Sequence, residues 1–198
     1  LWDHQMQRNE VGFTLIELMI SIAIAVILIT VVIPGFGTII EKKVLIQASE
    51  AIYHQMILAR SEAVRLRAPV FATFTSADSG ATWGFGLNEA TGCTPSVTNP
   101  ADASACALDQ DGTPVIRAIR SSSYSNISIP SMSFGGGTET RFEHVRGTAS
   151  DGMGTFYNGS ATIESASGYQ LQLQVSQMGR IKLCLPSGAS SIQGYSSC

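Results

Sequence analysis

The chain opens on a short polar stretch, residues 1–12, and then turns abruptly apolar. From residue 13 to residue 33 the single charge is Glu17. As an α-helix this segment measures about 31 Å, close to the hydrocarbon core of a bilayer at ~30 Å. Pro34, Gly35 and Gly37 follow at once. Proline removes a helical hydrogen bond and clashes with the preceding turn, so a kink is expected at Pro34, with the helix continuing beyond it. Helical periodicity resumes at Glu41, where Val44, Ala48, Ile52, Met56, Ala59, Ala63 and Leu66 recur at three- and four-residue steps. Glu41, Lys42, Lys43, Glu50, Arg60, Glu62 and Arg65 mostly fall off that stripe, so residues 41–68 read as an amphipathic helix with one face for a core. Arg65 and Arg67 suit its C-terminal end, and Pro69 stops it.

Beyond Pro69 the texture changes to Gly, Ser and Thr, with short β-like runs at 70–75, 83–87, 115–119, 132–134, 169–176 and 180–185. Tyr169-Gln-Leu-Gln-Leu-Gln-Val alternates apolar and polar, as a half-buried strand does. Gln177-Met178-Gly179 then reads as a hairpin turn into a second alternating strand from Arg180. Residues 92–112 read as a long loop and 187–198 as a loop-like tail. The pattern predicts an α+β fold. A leader occupies 1–12, a long N-terminal helix 13–68 (13–33 transmembrane, 41–68 amphipathic), and a β-rich domain on an antiparallel sheet 69–198. Met6 is a candidate true start.

Charge is sparse and uneven. Charged residues make up 14% of the chain and the net charge is −3, which does not advertise a nucleic-acid or acidic-membrane partner for the chain as a whole. Between residues 78 and 116 lie Asp78, Glu89, Asp102, Asp109 and Asp111 with no Lys or Arg, whereas after Glu164 the only charges are Arg180 and Lys182. The cysteines are Cys93, Cys106, Cys184 and Cys198, none in a C-x-x-C pair and all far in sequence from His4, His54 and His144. That spacing argues against zinc. Four cysteines allow three pairings, of which the two local ones, Cys93–Cys106 and Cys184–Cys198, are favoured. Each closes a modest loop, contributes about 3 kcal/mol, and implies an oxidising compartment. Asp109-Gln-Asp111-Gly112 lacks the remaining ligand spacing of a calcium loop, since Ala118 stands where the closing Glu belongs. His54 reads as a surface or core-edge residue, and the many serines lack a nucleophile elbow. Neither a catalytic site nor a cofactor is expected.

Three readings compete for the apolar segment. A secretory signal peptide fits Ala23-Ile24-Ala25 as a cleavage site, but Glu17 would interrupt its apolar stretch and hydrophobicity continues past the cut. A plain membrane anchor fits the length. The third rests on Gly12-Phe13-Thr14-Leu15-Ile16-Glu17, which resembles the prepilin peptidase site of type IV pilins and type II secretion pseudopilins; Pro34 also falls where those families place a kinking proline. The resemblance implies cleavage after Gly12 by prepilin peptidase and N-methylation of Phe13. It further implies an inner-membrane subunit with a periplasmic globular domain that later joins other major and minor pilins in a filament at the cell surface. A buried carboxylate is costly unless paired. Glu17 of one subunit can therefore neutralise the Phe13 amine of a neighbour and set the axial register.

Further positions resemble the minor pilin group of FimT, FimU and the pseudopilin GspH. They are Ala59-Arg60-Ser61-Glu62-Ala63 before Pro69-Val70, Trp83-Gly84-Phe85-Gly86, the 142–147 segment before Gly154-Thr155-Phe156, and Gly179-Arg180-Ile181-Lys182-Leu183-Cys184. FimT-like proteins capture DNA for natural transformation through a Gly-Arg-x-Arg element. Gly179-Arg180-Ile181-Lys182 is similar, with Lys182 in place of arginine, so Arg180 and Lys182 are candidates to touch double-stranded DNA. Two cations on one strand face can contact phosphates without reading sequence, although such pairs are also ordinary on a solvated face. The expected role is that of a minor type IV pilin near the filament tip; the alternative is a minor pseudopilin of a type II secretion system.

Overall fold

The computed structural model describes residues 12–135, 137–151 and 154–198, and within the helix the side chains of 30–36 fall outside the described residues. The Pro34 side chain, where a kink is expected, and Met6, the candidate start, are therefore outside them. The chain forms two compact units, Leu1–Ile39 and Ile40–Cys198.

Helix α1 spans Leu15–Leu66. Its start is written locally: the Thr14 hydroxyl accepts the Glu17 amide at 3.3 Å, and the Thr14 carbonyl accepts the Leu18 amide at 3.2 Å. Thr14-Leu-Ile-Glu17 has the spacing of a capping box. At the other end Arg67 adopts a left-handed φ of 54°, two residues before Pro69, which closes the helix.

In the second unit the helix lays Leu45, Ala48, Ile52, Met56, Ala59 and Ala63 into the core, each fully buried. Leu45 leads this row and the expected Val44 is half-buried beside it. The strands follow as β1 (Val70–Ala77), β2 (Thr82–Asn88), β3 (Ala107–Gln110), β4 (Thr113–Ile116), β5 (Ala118–Arg120) and β6 (Ile127–Ser133), then β7 (Glu139–Phe142), β8 (Ala149–Ser150), β9 (Gly159–Ser165), β10 (Gln170–Val175) and β11 (Ile181–Cys184). They pair antiparallel into a five-stranded sheet, β5-β2-β1-β7-β8, a four-stranded sheet, β11-β10-β9-β6, and the hairpin β3-β4. The fold is α+β, with an N-terminal helix packed on antiparallel sheets. Phe74 links the layers, stacking on Phe134 at 5.1 Å and meeting Phe85 edge-on at 4.8 Å.

Three local readings needed correcting. The run 115–119 is two strands. Arg117 separates them, donating its amide to the Cys106 carbonyl and accepting the Leu87 amide, so the chain changes sheets there. The run 132–134 is the end of the longer β6, hidden in sequence by Pro130, where the ladder with β9 skips between Ser128 and Ser131. The 92–112 loop is ordered: Cys93–Cys106 closes it, and Asp111 (φ 54°) and Gly112 (φ 85°) form the two-residue turn of β3-β4. The glycines of Trp83-Gly84-Phe85-Gly86 also acquire a reason. A Cβ on Gly86 would lie 2.2 Å from Cys106 Sγ, and one on Gly84 2.8 Å from Pro95 Cβ, so the disulfide-closed loop rests directly on β2.

Candidate assembly and anion-binding surfaces

The first candidate surface is the apolar start of α1. Phe13 is 82% exposed and Ile16 62%, and Leu18, Ile20, Ile22, Ile24, Val26 and Leu28 are exposed as well. Glu17 stands in the first turn; its amide is capped by Thr14 and its carbonyl accepts the Ser21 hydroxyl at 2.7 Å. Among the described residues its carboxylate makes no ion pair. The backbone at Gly12 is also uncrowded, with no atom within 4 Å of where a Cβ would stand. Exposed apolar surface on this scale marks a site for lipid or protein. Among the described residues no helix is long and apolar enough to cross a membrane, and the expected span, 13–33, runs into the residues whose side chains are not described.

The second surface is the edge of the four-stranded sheet. Lys182 on β11 faces Gln174 on β10, which faces Ser160 on β9. Leu171, Leu173 and Val175 alternate inward and are buried, so Arg180 and Lys182 share the outer face with Gln172 and Gln174. Asn158, Ser160, Gln174, Ser176, Arg180 and Lys182, with Gly159 and Val175, line a groove of about 460 Å³. The Arg180 amide is held by the Ser176 hydroxyl at 3.1 Å, its side chain is exposed, and the Lys182 ammonium donates to the Cys198 carbonyl at 3.2 Å. The sequence showed no acid near these two cations, but the fold brings Glu50 of α1 to a second groove that both also line. Glu50 is engaged: it accepts the Tyr195 hydroxyl at 2.6 Å and lies 3.4 Å from His54 Nε2. Burial first, and then this bond to the carboxylate, raise the Tyr195 phenol well above its ordinary pKa.

The cysteines pair as Cys93–Cys106 and Cys184–Cys198, each with Cα atoms 5.0 Å apart. The second bond closes the C-terminal loop, which Tyr195 ties to the helix. Asp109 and Asp111 serve the β3-β4 turn: Asp109 Oδ1 accepts the Gly112 amide at 2.7 Å, and the Asp109 carbonyl accepts from the Arg65 guanidinium. Among the described residues no group of His, Cys, Asp or Glu could hold a metal ion.

The chain thus joins a capped apolar helix to a two-disulfide antiparallel β domain. Residues 48–179, about two thirds of the chain, match the family model described as Type II transport protein GspH, and residues 8–33 match the Prokaryotic N-terminal methylation motif. The chain belongs to the GspH family of type IV pilin-like proteins, subunits that assemble with other pilins after prepilin processing. No curated protein matches it. Two crystal structures of the type IV minor pilin FimU from Pseudomonas aeruginosa are similar. The first has a TM-score of 0.48 at 18% identity and covers 72% of this chain and 90% of that one. The other has a TM-score of 0.44 at 18% identity and covers 69% and 90%.

Proposed function

We propose that this chain is a minor subunit of a type IV pilus, close to the filament tip. It is held in the inner membrane by residues 13–33 until prepilin peptidase cuts after Gly12 and Phe13 is N-methylated. The observation that carries this reading is the run of exposed apolar side chains from Phe13 to Ile29, interrupted by one carboxylate, Glu17, that has no ion pair among the described residues. In a filament core that carboxylate is neutralised by the Phe13 amine of a neighbouring subunit, which fixes the stagger of the two helices. Glu17→Ala is expected to fractionate with membranes at the wild-type level yet be missing from sheared pili. Wild-type amounts of the variant in the pili would overturn the reading.

A pseudopilin of a type II secretion system is the alternative, supported by the description of the family model. A deletion scored together for twitching, transformation and exoprotein secretion separates the two. A secretion defect with normal twitching selects the pseudopilin.

A second reading, compatible with the first, makes the filament a DNA receptor through Arg180 and Lys182. It is supported by the groove beside them, whose described lining includes no carboxylate. Arg180→Gln/Lys182→Gln should lose the gel shift of duplex DNA that wild type produces at low salt. Failure of the wild-type protein to retard DNA would end this reading.

A further inference from the structure

The Gly147–Gly179 contact gathers cations from three separate stretches of chain. Gly179, at the β10-β11 turn, has a φ of 72°, and a Cβ there would lie 1.8 Å from the Gly147 carbonyl oxygen. Backbone therefore touches backbone between this turn and the β7-β8 loop. The contact is reinforced by the Ala149 amide, which donates to the Gln177 carbonyl at 3.0 Å. Arg60 of α1 lies across both glycines: its Nε is 2.7 Å from where a Cβ on Gly147 would stand and 3.3 Å from the same point on Gly179. Arg146 immediately precedes Gly147, and Arg180 immediately follows Gly179.

All three arginines are exposed, and among the described residues none of their guanidiniums has a hydrogen bond or ion pair. The acid nearest Arg146 in sequence, Glu143, is taken by Arg141 at 3.0 Å. Glu62 is taken by Arg65 and Glu50 by Tyr195. Guanidiniums that leave the chain around one backbone contact favour an anion that spans them.

We infer that Arg60 and Arg146 extend the Arg180–Lys182 pair into one four-cation surface that takes the phosphate backbone of DNA. This rests on the DNA reading of Arg180 and Lys182. It changes that reading from a strand-edge contact into a surface built on α1, the β7-β8 loop and β11. Because its positions come from rigid elements clamped by glycine contacts, it suits successive phosphates and carries no base readout.

The test uses the full-length protein in detergent with a duplex of unrelated sequence, measuring affinity across a salt series. Each phosphate-contacting cation contributes about 0.9 to the slope of log affinity against log salt. Arg60→Gln/Arg146→Gln should flatten the slope by about 2, equally for any duplex sequence, with an unchanged melting temperature. An unchanged slope in that variant, while Arg180→Gln/Lys182→Gln abolishes binding, overturns the four-cation surface and leaves the DNA reading intact. No binding by wild type overturns both. Loss of filament incorporation with unaltered DNA affinity would assign Arg60 and Arg146 to a neighbouring subunit and likewise overturn the inference.

Discussion

The two stretches of α1 use similar residues to opposite ends. Between Leu45 and Ala63 an apolar residue at each three- or four-residue step disappears completely beneath the sheets, while Arg60, Ser61 and Val64 stay outside. Between Leu15 and Ile29 apolar side chains point in every direction, and all are exposed. A stripe has a partner within the chain. A helix that is apolar all round finds none there and must be covered from outside, by lipid or by other helices. One element thus carries both the anchor of the globular unit and the adhesive of the assembly.

That contrast can be broken by placing the same substitution in each stretch. Ile52→Asp buries a carboxylate in a sealed core and should cost more than about 4 kcal/mol, unfolding the β domain. Ile22→Asp should leave the melting temperature of that domain unchanged and reduce retention in the membrane fraction, where a central Asp costs about 3 kcal/mol. Equal loss of melting temperature in both variants would erase the distinction.

A smaller effect is expected inside the globular unit alone. Cys93→Ser/Cys106→Ser should lower its stability by about 3 kcal/mol in denaturant titrations. The two serines also leave the loop unclosed over Gly84 and Gly86, whose missing side chains accommodate it. The insertion of residues 13–29 should not respond to that change.

The smallest effect concerns pH. Burial pushes the Tyr157 phenol up to about 12, and its hydroxyl donates to the Glu139 carbonyl at 3.2 Å. A folded pKa above the unfolded value means a contribution that is complete below about pH 10 and lost as pH rises through about 12. Melting curves between pH 9 and 12 should therefore fall more steeply for wild type than for Tyr157→Phe, with Tyr195 contributing in the same direction. An identical slope in the variant would remove Tyr157 from the account.

Much of this was legible from residues in order. The 3.6-residue stripe announced the buried face of the helix, and the Gln-Leu alternation strand β10, because these signals depend on neighbours only a few positions apart. Strand β7 and strand β9 went unseen, and β6 was shortened by Pro130. Strand β7 pairs with β1, far off in sequence, and its four residues carry little period of their own, while β9 buries only Ala161 and Ile163 as apolar side chains among Gly, Ser, Thr and Glu.

By itself the sequence determined the class: Gly12-Phe13 ahead of an apolar segment with one glutamate, an amphipathic continuation, and a β-rich remainder with four cysteines. Only the tertiary structure decided which glycines are obligatory and which charges meet. It set Gly84 and Gly86 under the Cys93–Cys106 loop, brought Glu50 to the side of Lys182, and laid Arg60 over the contact between Gly147 and Gly179. The physical reason is that a steric or electrostatic contact depends on distance in space. Residues 60, 147 and 179 become neighbours only when helix, loop and hairpin have packed.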